Sequence, residues 1–140
     1  MSFIVLDASV WVSRLVPQDI YHTRVKAWME SKAARGVIFL SPALLLAEVA
    51  GAISRRLGEP ELAQRVVENL QALPGLRLVE MDRSLTQEAA RLAASIGLRG
   101  ADAFYVALAA RLALPLVTLD ADQMQRSGTV VAIQSLEESE

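Results

Sequence analysis

Phe3-Ile4-Val5-Leu6-Asp7-Ala8-Ser9 opens the chain with four apolar residues in a row and then an acid. A strand with one wet face alternates apolar and polar residues, whereas an unbroken apolar run fits a strand covered on both faces, as in a parallel sheet wrapped by helices. The acid stands where such a strand ends, and in open parallel sheets that edge is where ligands bind. The same pattern returns in Leu116-Val117-Thr118-Leu119-Asp120.

Reading outward, aliphatic runs alternate with longer helical patterns, which predicts an α/β fold: a central parallel sheet of about five strands flanked by helices. Strands are expected near 3–6, 37–40, 76–79, 116–119 and 130–133. Helices are expected from about Val10, over 20–34, 42–57, 60–73 and 85–96, and from Ala101 or Asp102 to before Pro115. Ser41-Pro42 reads as an N-cap followed by a first-turn proline. Ser84 and Gln87 stand at capping-box spacing, and Gly36, Gly58 and Gly97 mark helix ends. With 140 residues and no linker-like segment, one domain over 1–135 is expected, followed by an acidic tail over 136–140.

Cysteine is absent, which removes disulfides, thiolate nucleophiles and Cys-ligated zinc. The start lacks the basic region of a signal peptide, and Glu48, Gly51 and Arg111 break the apolar stretches before a membrane span, so a cytoplasmic protein without membrane contact is expected. The net charge is −2, but Asp7, Glu48, Asp102, Asp120 and the three acids of the tail leave only nine others against 14 Lys and Arg, 12 of them Arg. A mildly basic remaining surface suits phosphate contact, and a plain preference for Arg explains the same count. At 53% apolar residues the chain has more aliphatic surface than one core needs, which favours a homodimer.

Four acids sit in apolar company: Asp7, Glu48 amid Leu44-Leu45-Leu46-Ala47, Asp102 before Ala103-Phe104-Tyr105-Val106, and Asp120. Buried carboxylates need compensation, and none of the four has an immediate basic neighbour in sequence. Asp7, Asp102 and Asp120 each precede a helical pattern, so capping alone accounts for each. Glu48 resists that reading, because a helix interior has no free backbone donors and Arg55 lies two turns on. Gly51, one turn beyond Glu48, leaves room for a neighbour to approach. Asp122 competes with Asp120 for the fourth place. Clustered carboxylates repel by about 4 kcal/mol per close pair at an effective dielectric near 20, so a common site requires a cation or protons. All-oxygen ligands point to Mg²⁺ or Mn²⁺, with Ser9 and Thr118 as supporting hydroxyls. His22, the single histidine, and the aromatics Trp11, Trp28, Phe104 and Tyr105 read as surface and packing residues respectively.

On these residues the chain resembles the PIN-domain nucleases, and among them the small VapC-like toxins of type II toxin–antitoxin pairs. The resemblance rests on Val5-Leu6-Asp7-Ala8-Ser9, on Glu48 after Ser41-Pro42, on Gly100-Ala101-Asp102-Ala103 leading into Tyr105-Val106-Ala107-Leu108-Ala109, and on Leu116 to Asp120. It implies a metal-dependent endoribonuclease, usually a homodimer, held inactive by a cognate antitoxin protein. In that family the acids matching Asp7 and Asp102 are the principal metal ligands, and those matching Glu48 and Asp120 complete the site. The expected chemistry is hydrolysis of RNA phosphodiester bonds by a metal-activated water. A non-catalytic PIN-fold module that binds RNA or protein is the rival reading. A haloacid-dehalogenase-type phosphatase is disfavoured because Ser9 stands where a second Asp is needed, and a receiver domain because no Lys follows Lys32.

Overall fold

The computed structural model describes residues 2–136, so the acidic tail lies outside the described residues apart from Leu136. Four parallel strands, β1 (Ser2–Leu6), β2 (Val37–Pro42), β3 (Leu76–Val79) and β4 (Leu116–Val117), form a sheet in the order β3-β2-β1-β4. The chain steps outward from β1 to β2 and β3, then crosses to the other side of β1 for β4. The order therefore reverses between β1 and β4, and a crevice opens at such a point beyond the carboxyl ends of the strands.

The apolar runs are buried on both faces, as their lack of alternation predicts. Ile4 and Leu6 of β1 join Phe39, Trp11, Trp28 and Leu45 in one core, while Val5 joins Leu40, Leu85, Tyr105 and Leu108 in the other. The first core lies under α1 (Ala8–Leu15), α2 (His22–Ala34), α3 (Leu45–Leu57) and α4 (Pro60–Gln71); the second lies under α5 (Arg83–Ile96) and α6 (Gly100–Leu112). Trp11 meets the ring of Phe39 edge-on at 6.1 Å between centroids and Trp28 packs on it at 5.9 Å, so both indoles are core residues. The fifth expected strand is reduced to a bridge between Ile133 and Leu116, and α7 (Ala121–Ser127) follows β4 directly. Among the described residues no single helix is long and apolar enough to cross a membrane.

Four local expectations fail. Ser41 and Pro42 finish β2 instead of starting a helix, because the buried Ser41 hydroxyl donates to the Leu6 carbonyl at 2.7 Å and ties β2 to β1. Helix α3 begins at Leu45, which moves Glu48 from mid-helix into the first turn. Helix α5 is capped by Asp82, whose carboxylate accepts from the Leu85 N–H, and not by a Ser84–Gln87 box. Strand β4 is also two residues shorter than expected, since the Leu119 and Asp120 N–H groups turn to the hydroxyls of Ser9 and Thr118.

Candidate active site

Asp7 closes β1 and caps α1 at once, accepting from the Ser9 N–H at 3.2 Å. The Ser9 hydroxyl at 2.7 Å and the Thr118 hydroxyl at 3.0 Å donate to the same oxygen, Oδ2. Among the described residues Oδ1 accepts no hydrogen bond. Asp7 is only 4% exposed and has no basic partner among the described residues. Burial pushes its carboxyl above the ordinary carboxylate range; the Ser9 and Thr118 bonds pull it back in part, and the Asp102 charge raises it further. Thr118 in turn contacts the buried Gln123, so a polar network links β1, β4 and α7 beneath the sheet edge.

Glu48 enters from α3. The buried Tyr105 of α6 donates to its Oε1 at 2.7 Å, which fixes one oxygen. Burial raises Glu48, the Tyr105 bond opposes the rise, and the charges of Asp7 and Asp102 add to it. Burial and the Glu48 charge keep Tyr105 protonated, as a donor must be. Three acids from β1, α3 and α6 thus act electrostatically on one another.

Asp102 and Asp120 are held differently. Arg99 donates from Nε to Asp102 at 3.1 Å and from its terminal nitrogen to Asp120 at 2.7 Å, joining the start of α6 to the start of α7. Asp102 lies in the first turn of α6 and does not cap it, whereas Asp120 caps α7 through the N–H groups of Asp122 and Gln123. Asp122 accepts from Arg126, at 3.0 and 3.1 Å. The capping and clustering readings are therefore compatible for Asp7 and Asp120.

Carboxylate and hydroxyl oxygens are the donors here, a set that fits a hard divalent cation and not zinc. Among the described residues, however, no three acidic or histidine side chains stand as a ready-made metal cage. The arrangement on hand explains part of this, because the Arg99 guanidinium already serves as the shared cation of Asp102 and Asp120. His22 is not a free surface residue: its Nδ1 meets the Ser13 carbonyl at 3.0 Å and ties α2 to α1. Arg99 partners two acids three and 21 positions away, pairings that apolar patterning does not disclose. Its spacing from Asp102 was the available signal, since residues three apart face each other on a helix.

A family model for the PIN domain matches residues 4–128. Comparison with curated proteins gave no match. Among solved structures, VapC20 of Mycobacterium tuberculosis, a sarcin–ricin loop cleaving toxin, superposes with a TM-score of 0.78 at 18% identity, over 94% of this chain and 99% of that one. FitAcB from Neisseria gonorrhoeae gives 0.69 at 25% identity, over 95% and 97%. DNA-bound VapBC from Salmonella typhimurium gives 0.70 at 16%, over 97% and 99%. A parallel sheet reversing at β1/β4 is thus found in a chain whose family match covers most of its length: the chain belongs to the PIN-domain family.

Proposed function

We propose that this PIN domain is a Mg²⁺- or Mn²⁺-dependent endoribonuclease, the toxin of a toxin–antitoxin pair. The observation that carries the reading is Asp7, buried without a basic partner at the reversal of the sheet and coupled to Glu48 and Asp102. Asp7, Asp102 and Asp120 would hold the ion, and Glu48 would complete the site. When bound, such an ion supplies Lewis acidity and neutralises charge at the phosphate. Ser9 and Thr118 orient Asp7 by engaging Oδ2. Tyr105 occupies Oε1 of Glu48, so Oε2 is the oxygen that takes a proton from the attacking water, and its raised proton affinity suits that task. Because Arg99 donates to both Asp102 and Asp120, an ion held by those acids would have to take their oxygens from its guanidinium. With His22 tied to Ser13, no histidine pair serves a route through the ribose 2′-hydroxyl, so the products carry 5′-phosphate and 3′-hydroxyl ends.

The protein acts in the cytoplasm as a homodimer restrained by a cognate antitoxin. VapBC-type neighbours of nearly the same length support the antitoxin partner. The test is to incubate the purified chain with RNA in Mg²⁺ and in EDTA and to sequence the ends produced. Cleavage in Mg²⁺ alone, abolished by Asp102→Asn, is the expected result. RNA binding without any cleavage under either condition would instead make the chain a non-catalytic binding module.

A further inference from the structure

Helix α3 carries Glu48 at its first turn and Arg55 near its end, with Gly51 between them. Side chains on a helix lean toward its N-terminus, so Arg55 folds back over the preceding turn. Its guanidinium lies 3.0 Å from the point where a Cβ on Gly51 would sit. The absence of a side chain at Gly51 thus lets the cation lie along the helix. Arg55 is exposed and has no carboxylate partner among the described residues. Its neighbour Arg56 is different, being bound to Asp19 at 3.0 Å. Asp19 also accepts from the Ser13 hydroxyl and the Tyr21 N–H, each at 2.8 Å, so one acid pins the loop between α1 and α2 against α3.

That loop and α3 border a groove of about 660 Å³ lined by Ser9, Tyr21, Glu48 and Arg55 together with the paired Asp19 and Arg56. Tyr21 is 38% exposed, with its backbone fixed by Asp19, and it also borders a second hollow beside Thr118 and Leu119. An unpaired guanidinium and a half-exposed aromatic ring, both held beside the acidic site, match what a single strand presents: phosphates and unstacked bases.

We propose that this groove binds the stretch of single-stranded RNA next to the scissile bond, with Arg55 contacting a backbone phosphate and Tyr21 stacking on a base. The proposal rests on the nuclease reading for its substrate class. Cleavage chemistry belongs to the acids; Arg55 and Tyr21 are positioning residues.

The test measures binding of a short fluorescein-labelled single-stranded RNA by anisotropy in EDTA across a salt series. Arg55→Ala should weaken binding about fivefold to tenfold and reduce the salt slope by about 0.7, the share of one phosphate contact on a single strand. Arg55→Lys should restore the slope in part. Tyr21→Ala should cost about tenfold with the slope unchanged, and Tyr21→Phe should bind as the parent does. Arg35→Ala controls for net charge, since Arg35 precedes β2 at the opposite edge of the sheet, and it should change affinity less than twofold. Affinity unmoved by both Arg55→Ala and Tyr21→Ala, or lowered no more than by Arg35→Ala, overturns the groove. An oligoglutamate peptide bound more tightly than RNA, and lost on Arg55→Ala, assigns the groove to a protein partner and overturns it too. Cleavage in Mg²⁺ is scored separately. An inactive parent with Arg55- and Tyr21-dependent binding refutes the nuclease reading and supports the groove, whereas full cleavage with unmoved affinities refutes the groove alone.

Discussion

Arg99 keeps 75% of its side chain in solvent, yet it donates to Asp102, 16% exposed, and to Asp120, 31% exposed. Ion pairs of this exposure stabilise little, about 0.2–1 kcal/mol, so the bridge is easily exchanged. Under the nuclease reading a divalent ion and this guanidinium compete for the same oxygens. Arg99→Ala should therefore lower the melting temperature slightly in EDTA while tightening Mn²⁺ binding by up to about fivefold, the factor that corresponds to one such pair. Titration calorimetry with Mn²⁺ checks this without reference to activity. An unchanged Mn²⁺ affinity would mean that Arg99 and the ion do not share Asp102 and Asp120.

Among the elements, α3 sets stability against binding at Gly51. Glycine inside a helix is less favourable than alanine by about 1 kcal/mol, but here it makes room for the Arg55 guanidinium. Gly51→Ala should raise stability by up to about 1 kcal/mol, since the end of a flexible side chain can shift by a few tenths of an ångström. It should also weaken RNA binding by displacing Arg55, so denaturant melts and RNA titrations on one sample should move in opposite directions. A gain in both would remove Gly51 from the argument.

The same element shows what the sequence could and could not disclose. The apolar runs ending in Asp7 and Asp120 are legible because burial on both faces leaves a plain one-dimensional signature. Ser41-Pro42 misleads because serine and proline favour a helix start locally, while the deciding contact, Ser41 to the Leu6 carbonyl, spans 35 positions. The pairings Tyr105–Glu48 and Arg99–Asp120 span 57 and 21 positions and leave no periodic trace either. The acids themselves could be found, since each breaks an apolar run; their partners are set by the packing of α3, α6 and α7 against one another.

At the scale of the whole molecule, three carboxyl groups pull the pH dependence of stability in opposite directions. Asp7 and Glu48 hold protons more tightly folded than unfolded, chiefly through burial. For such groups stability is greatest below the ordinary carboxylate range near pH ~4 and falls as pH rises through their raised values, by up to about 1.4 kcal/mol per pH unit for each proton. Asp19 behaves oppositely. Burial raises it, but bonds from the Tyr21 N–H, Ser13 and Arg56 outweigh that and hold it low, so its contribution is present above the ordinary range and is lost toward acid.

Asp7→Asn isolates the first effect, because the asparagine oxygen can take the Ser9 and Thr118 bonds while its amide replaces Oδ1. Melts in EDTA should nearly coincide for parent and variant well below pH ~4, where Asp7 is protonated in both states. They should separate in favour of the variant as pH rises toward neutrality. A divalent ion should reverse the order, stabilising the parent by mass action and leaving the variant behind. RNA cleavage should be lost, since the substitution removes a hard anionic ligand. A variant no more stable than the parent at any pH in EDTA, and still active, would reduce Asp7 to the helix cap that it also is, a role that asparagine fills as well as aspartate.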